Sequence, residues 1–234
     1  MLQAVFVLEI ALLAGGLLLG KPNEDGTCRL PRALRILLSA LLVLAAFLGW
    51  QAVRTTPTQA YAIWVLIGMS ASFVGDLVMA RLIRTPSRLV FGMIAFGVGH
   101  VAYIAALGRL ALRLQLPLRG ACAVWLAMLA FSTSAWYTQI QRPGGSKALN
   151  GGSLLYGLLV GSMAALAIHL ALHDLRFLAL AVGALLFLAS DFVLGNWVIR
   201  GHCWKSVNDV VWTTYVSGQL LVVYSVAAAL KALS

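Results

Sequence analysis

Apolar runs of about 20 residues recur along the whole chain and are separated by short polar segments. A helix needs about 20 mostly apolar residues to cross the hydrocarbon core of a bilayer. This criterion predicts eight spans, at approximately 2–20, 33–53, 60–80, 89–108, 118–139, 152–172, 175–199 and 209–231. The segments between them are short and rich in Arg, Pro, Gly or Asn, with no room for a soluble domain. We therefore predict an all-α integral membrane protein, with residues 1–234 forming a single bundle of eight transmembrane helices.

Composition supports that prediction and bears on the class of partner. The chain is 62% hydrophobic and 10% charged, with a mean hydropathy of +0.94, which is typical of a membrane protein. Its net charge of +10 comes from basic residues that fall singly or in small groups, without a basic stripe interleaved with aromatic residues. We therefore expect contact with membrane lipid and no nucleic-acid partner. Cys28, Cys122 and Cys203 have neither metal-site nor disulfide spacing.

The distribution of Lys and Arg predicts an orientation. Eleven of the 17 lie in or beside the loops that follow odd-numbered spans, and cytoplasmic loops carry the excess of positive charge. These loops are predicted to be cytoplasmic, in a bacterial inner membrane or, in a eukaryote, the endoplasmic reticulum. The N-terminal apolar run has no preceding Lys or Arg and no small-residue cleavage pattern. We interpret it as the first span rather than a removed signal peptide.

Two spans each contain an aspartate, which is costly near the bilayer centre, at roughly 2.5–3.5 kcal/mol. Asp76 lies in the third span, five residues before Arg81, and Asp191 lies in the seventh, nine residues before Arg200. The two spans cross the membrane in the same direction, and a helix rises about 1.5 Å per residue. Both carboxyls are therefore predicted in the half of the membrane nearest the basic loops, where they can meet if their helices are neighbours.

Further polar residues are predicted in the same half of the membrane, and they are expected to line an interior cavity that opens towards the basic loops. These supporting residues are Ser72, His100, Tyr103, Tyr156, Ser190, Asn196, Tyr215 and Gln219. Such side chains also commonly bridge helices in membrane bundles. No Lys or Arg lies in the spans at this depth, so each aspartate must be protonated, paired or hydrated. The aspartate pair therefore indicates a functional site.

Five segments around these residues form an ordered series of motifs, which are "SASFVGDLVM", "FGVGHVAYIAAL", "LLYGLLVGSM", "GALLFLASDFVLG" and "TTYVSGQLLVVYS". The series resembles the YhhN family of transmembrane lysoplasmalogenases. The resemblance is strongest over residues 60–231, whereas spans one and two match only in hydropathy. It implies an eight-helix membrane enzyme with Asp76 and Asp191 as catalytic residues, and with Gly75, Ser190 and His100 in the motifs around them.

The implied reaction is hydrolysis of the vinyl ether bond of a 1-alkenyl lysophospholipid. The products are a fatty aldehyde and glycerophosphocholine or glycerophosphoethanolamine. A vinyl ether is cleaved by acid, and burial beside a second carboxylate helps to keep a carboxyl protonated. We expect one aspartate to act as the acid and the other as the base, with the assignment left open. His100 is a candidate hydrogen-bond partner, and no cofactor or metal is expected.

The expected partner is therefore a single-chain ether phospholipid, whose phosphate needs cations at the mouth of the cavity. The candidate head-group residues are Arg81, Arg84, Arg88, Arg200 and Lys205. Their alternative role is to set topology and to contact anionic lipid.

Other functions fit parts of the pattern. A lipid-binding or transport protein would use the aspartates as a proton or cation site. A metal-dependent lipid hydrolase is suggested by His169 and His173, whose i, i+4 spacing lets both face one metal, with Asp174 adjacent. These residues end the sixth span on the side opposite the aspartates. An intramembrane aspartyl protease is disfavoured because "FVGD" lacks the second glycine of the usual GxGD pattern.

Overall fold

A computed structural model describes all residues, 1–234, as an all-helical chain without strands. Its helices are α1 (Leu2–Leu19), α2 (Arg32–Val53), α3 (Gln59–Met79), α4 (Arg88–Arg113), α5 (Leu118–Ala135), α6 (Lys147–His173), α7 (Leu178–Gly195), α8 (Val207–Tyr224) and α9 (Val226–Leu233). Eight helical segments are long and apolar enough to cross a membrane, with α8 and α9 together forming the eighth. The predicted fold class is confirmed.

Two helices extend further than hydropathy predicted. α4 continues to Arg113 rather than to 108, and α6 begins at Lys147 rather than at 152. α6 begins earlier because Ser146 caps it, its hydroxyl accepting a hydrogen bond from the backbone N–H of Leu149. Hydropathy detects only the apolar part of a helix, so polar first and last turns escape it.

Glycines bring the central helices into close contact. A Cβ atom on Gly75 of α3 would lie 2.8 Å from the Phe96 ring of α4, and one on Gly218 of α8 would lie 2.8 Å from the Gly183 carbonyl oxygen of α7. Small residues allow this close approach of helices, which supplies packing where lipid provides no hydrophobic driving force. The pairs α3/α4 and α7/α8 therefore form closely packed units, and α8 also contacts α2 and α3.

α1 and α5 are the peripheral helices. Only 11% of the most apolar stretch of the α1 span is buried inside the bundle, and only 6% of that of the α5 span. The corresponding share for α6 is 56%. α1 packs mainly on α2, and α5 mainly on α6. The enclosed interior is therefore formed by the helices from α2 to α4 and from α6 to α8.

The loops after α1, α3, α5 and α7 lie at one end of the bundle, which we call the basic end. The loop after α1 is fixed to the start of α8, since the Asp209 carboxylate accepts a hydrogen bond of 2.7 Å from the backbone N–H of Arg29. The Thr27 carbonyl accepts from the backbone N–H of Asn208 at 2.9 Å. Asp209 therefore holds a loop in place.

Candidate functional site

Asp76 and Asp191 line the same cavity, which has a volume of about 560 Å³ and which we call the polar cavity. Asp76 lies three residues before the end of α3, and Asp191 lies four before the end of α7. α3 and α7 make little direct contact, and α8 packs against both. The two carboxyls therefore share a cavity rather than a helix interface.

The Asp76 carboxyl is enclosed. Asp76 is 3% exposed, and its Oδ2 accepts a hydrogen bond of 2.7 Å from the hydroxyl of Tyr215 on α8. The Tyr215 ring is held edge-on by Phe96, Phe187 and Trp212, with centroid distances of 5.3–6.0 Å. No Lys, Arg or His nitrogen lies within salt-bridge distance of Asp76. The Tyr215 hydroxyl is therefore the hydrogen-bond partner of this carboxyl.

The Asp191 carboxyl has two partners and is more open, with a side chain 15% exposed. The Tyr156 hydroxyl of α6 donates to Oδ2 at 2.7 Å, and His100 Nε2 of α4 lies 3.8 Å from the same oxygen. His100 Nε2 also lies 3.4 Å from the Tyr156 oxygen. Because Tyr156 gives its only proton to Asp191, His100 must donate from Nε2 in that contact. Asp191, Tyr156 and His100 thus form one hydrogen-bonded group.

A second polar contact lies deeper in the bundle. The Tyr103 hydroxyl of α4 donates to Gln219 Oε1 of α8 at 2.8 Å, and both residues are fully buried. Ser72 is also buried, where α3 meets Gly99 of α4. None of these side chains lines the polar cavity. Tyr103 and Gln219 thus bridge α4 and α8 behind the site, as buried polar side chains commonly do in membrane bundles.

Ser190 and Tyr215 line the polar cavity itself, whereas Asn196 does not. The Ser190 hydroxyl donates to the Val211 carbonyl at 3.0 Å, tying α7 to α8. Asn196 begins a π-helical segment, Asn196–Arg200, which continues α7. The Asn196 amide donates to the Gln139 carbonyl at 2.6 Å, in the π-helical segment Trp136–Ile140 that continues α5. Asn196 therefore links two helix ends.

The cations divide into two groups. Arg81 and Arg88 line the polar cavity, as the head-group prediction requires, whereas Arg84, Arg200 and Lys205 do not. The Arg200 guanidinium instead donates to the Thr138 carbonyl. The π-helical extension of α7, which hydropathy does not reveal, turns Arg200 towards α5.

Two lining arginines were missed as head-group candidates from the sequence. Arg32 and Arg35 come from the first turn of α2 and line the polar cavity. Their i, i+3 spacing places them on one helix face, a signal present in the sequence. The Arg35 guanidinium lies 5.3 Å from the centroid of the Trp212 ring, within cation–π range. Four arginines thus surround the polar cavity at the basic end.

The histidine pair that suggested a metal lies elsewhere. His169 and His173 are at the end of α6, with ring centroids 4.6 Å apart, close to Gly120 of α5. The His173 ring contacts the His169 carbonyl, with Nδ1 and the oxygen 3.0 Å apart. No group of three His, Cys, Asp or Glu side chains is arranged to hold a metal ion.

The fold and the cavity define a multi-pass helical membrane protein with an intramembrane carboxylate pair. The YhhN family model matches residues 31–226, so the chain belongs to the YhhN family. The matched residues contain both aspartates. They also include α2, a span that resembles the family only in hydropathy when the motifs alone are compared. Comparison with curated proteins and with solved structures gave no match.

Proposed function

We propose that the protein is a lysoplasmalogenase-type hydrolase that cleaves the vinyl ether bond of 1-alkenyl lysophospholipids. The observation that carries this proposal is that two aspartates and four arginines line one cavity. Acid cleavage of an enol ether passes through an oxocarbenium ion, as glycoside hydrolysis does, and two carboxyls divide the work of acid and base there. The arginines supply charge for a phosphate beside the reacting bond.

Asp76 is the acid in this proposal. An ionised carboxylate that is 3% exposed, without a cation at salt-bridge distance, is unfavourable. Its neutral form has a proton to give. Asp191 has the tyrosine hydroxyl and the imidazole beside it, and both stabilise negative charge on Oδ2. The two environments therefore assign the acid to α3 and the base to α7.

The reaction then balances with one water. Asp76 transfers its proton to the β-carbon of the vinyl ether and leaves an oxocarbenium ion. Water adds to the carbon that carries the ether oxygen, and Asp191 takes a proton from this water to give a hemiacetal. The hemiacetal proton moves to the ether oxygen as the carbon–oxygen bond breaks, releasing the aldehyde and the glycerol hydroxyl. The proton on Asp191 replaces the one lost by Asp76.

The head group lies at the basic end in this arrangement. Arg32, Arg35, Arg81 and Arg88 surround the polar cavity there, and Arg35 is held over Trp212. Guanidinium groups bind phosphate oxygens through paired hydrogen bonds. The phosphate of a lysolipid bound there would leave its ether bond pointing inward, towards the aspartates.

A turnover assay tests the proposed reaction. Purified protein in detergent should release aldehyde from a 1-alkenyl lysophospholipid, detected by an aldehyde dehydrogenase coupled to NADH formation. A 1-alkyl lysophospholipid with the same chain and head group is the matched control, because its saturated ether cannot accept a proton at carbon. Absence of aldehyde from the alkenyl lipid, or equal release by Asp76→Asn protein, would contradict the proposal.

The basic end faces the cytoplasm in this proposal, following the excess of Lys and Arg. Cys203 is exposed in the loop after α7 and provides a native label site. In a chain carrying Cys28→Ser and Cys122→Ser, a membrane-impermeant maleimide should label Cys203 only after the cells are permeabilised. Full labelling in intact cells would reverse the orientation.

A further inference from the structure

An apolar groove of about 710 Å³ runs along the outer surface of the bundle between the first halves of α4 and α6. Its walls include Val90, Ile94, Val98 and Leu155, which are 39–64% exposed. None of its lining residues is Asp, Glu, Lys or Arg. The groove therefore offers hydrocarbon a recess in the surface of the protein.

A small apolar pocket of about 50 Å³, which we call the neck, shares wall residues with both the groove and the polar cavity. The neck shares Leu89, Met93 and Tyr156 with the groove. With the polar cavity, the neck shares four wall residues, Met79, Phe96, Asp191 and Leu194. Asp191 thus stands where the polar and apolar spaces meet.

The order of chemistry along this path matches that of a single-chain ether phospholipid. Arginines surround the polar cavity at one end, the aspartates lie in the middle, and only uncharged residues line the groove. A lysolipid carries its phosphate, its ether bond and its hydrocarbon chain in that same sequence. With the phosphate at the arginines and the ether at the aspartates, the chain is directed into the neck.

The groove also has the length that such a chain needs. Twelve residues separate Leu89 from Val101 on its α4 wall, which corresponds to about 18 Å of helix. This is more than half of the hydrocarbon thickness of a bilayer, about 30 Å. We propose that the groove between α4 and α6 binds the hydrocarbon chain of the substrate and admits it sideways from the bilayer. This inference rests on the proposed function and assigns the chain a separate binding site.

Two glycines keep the groove open. A Cβ atom on Gly97 of α4 would lie 3.8 Å from Leu159 Cδ1, and one on Gly152 of α6 would lie 3.8 Å from Met93 Cε. A methyl group thus fits at both positions, whereas a larger side chain would extend into the groove. Gly151 is the neighbouring residue on α6, exposed and facing open space. Gly151→Leu is therefore a matched control for Gly152→Leu.

Binding is tested without turnover by a 1-alkyl lysophosphocholine that carries a diazirine near the end of its chain. Photolysis in nanodiscs should label residues of the groove walls, and unlabelled 1-alkyl lysophosphocholine should compete for this labelling. Gly152→Leu and Gly97→Leu should each reduce the competed labelling about tenfold, the scale of effects in a hydrophobic pocket. Gly151→Leu should label like the unmodified protein. Labelling that cannot be competed, or that is equal in all variants, would show contact with bulk lipid only and overturn the proposal.

Turnover separates this inference from the proposed function. Gly152→Leu should lower kcat/KM about tenfold for a hexadecenyl lysophospholipid and leave it unchanged for a butenyl analogue, whose chain ends before the groove. Equal kcat/KM of Gly152→Leu and Gly151→Leu protein on the long substrate would overturn the groove while the hydrolase proposal stood. Competed labelling of the groove in a protein that releases no aldehyde would support the groove and contradict the hydrolase.

Discussion

The two aspartates share a cavity and each accept a hydrogen bond from a tyrosine hydroxyl, but they differ in exposure and in their other neighbours. Asp76 sits on the closely packed α3/α4 pair, is nearly inaccessible and meets only the polar cavity, with Tyr215 as its donor. Asp191 borders both the polar cavity and the neck, and it has Tyr156 and His100 at the same oxygen. Different surroundings give two carboxyls different tasks. The roles proposed for the two aspartates depend on the helices that face them, which are α8 for Asp76 and α6 with α4 for Asp191.

Replacing the carboxyls gives the largest expected effects and tests whether the two sites are unequal. Asp76→Asn should lower kcat about a thousandfold or more, because it removes the proposed acid and the neighbouring Asp191 is the ionised base in the same proposal. Asp191→Asn should lower kcat by only about a hundredfold, the low end for loss of a general base, because an oxocarbenium ion accepts water readily once it has formed. Aldehyde release by purified variants measures both. Asp174→Asn, in the short segment after α6 and outside the polar cavity, is the control with unchanged kcat. Equal losses of kcat for Asp76→Asn and Asp191→Asn would contradict the different roles proposed for the two carboxyls.

Removing the tyrosine hydroxyls tests whether the two sites are separate networks. Tyr156→Phe should lower kcat about tenfold, the scale of a hydrogen bond to a charged group, and Tyr215→Phe should have a similar effect because Tyr215 stabilises the carboxylate that Asp76 becomes after it gives up its proton. Combined with His100→Gln, the Tyr156 change should be non-additive by about 1 kcal/mol or more, because both residues contact one oxygen. The Tyr215 change should add to His100→Gln within about 0.5 kcal/mol. Strong coupling between His100 and Tyr215 would contradict the separation of the Asp76 and Asp191 networks.

Arginines at the mouth of the polar cavity should affect substrate binding rather than chemistry. Arg35→Gln should raise KM about tenfold or less and leave kcat nearly unchanged, because phosphate is bound equally before and during the reaction. Lys205→Gln is the matched control, since Lys205 is in a loop of the basic end but does not line the polar cavity. Michaelis kinetics on the same lysolipid measure both. A fall in kcat for Arg35→Gln would place this residue with the catalytic group.

Helix packing should give the smallest effect. Gly75→Ala places a methyl group 2.8 Å from the Phe96 ring, and this side chain must shift, which costs about 1 kcal/mol, the low end for overpacking. Thermal unfolding in detergent should show a lowered midpoint for Gly75→Ala. Gly108→Ala on α4, which meets open space, should leave the midpoint unchanged. An unchanged midpoint for Gly75→Ala would show that the α3/α4 contact is looser than described.

Much of the fold and the depth of the site could be predicted from the sequence. Span length and apolar content give eight helices, and counting spans places Asp76 and Asp191 towards the same end. The lateral order of the helices could not be predicted, because hydropathy carries no information on which helices are neighbours. The pairing of Tyr215 with Asp76 and of Tyr156 with Asp191 depends on that order, so neither hydrogen bond was predictable.

The basic residues also divide into those whose position the sequence indicates and those whose position depends on local helix geometry. Arg32 and Arg35 share a helix face, a signal that the sequence carries, but loop charge alone assigns them only to orientation and not to the site. Arg200 and Asn196 were expected near the site, but they extend from a π-helical segment and bond to the end of α5. A π-helical turn shifts the face on which each residue lies, and spacing rules based on 3.6 residues per turn miss it.

The path through the protein has two openings of opposite character, and this affects what happens after cleavage. In the proposed reaction, cleavage beside Asp191 would separate a hydrophilic glycerophospho-base from an aldehyde that prefers lipid. The first fragment would already lie in the arginine-lined cavity at the basic end, and the second in the groove that faces hydrocarbon. Each product can therefore leave into the phase that dissolves it best, without passing the other.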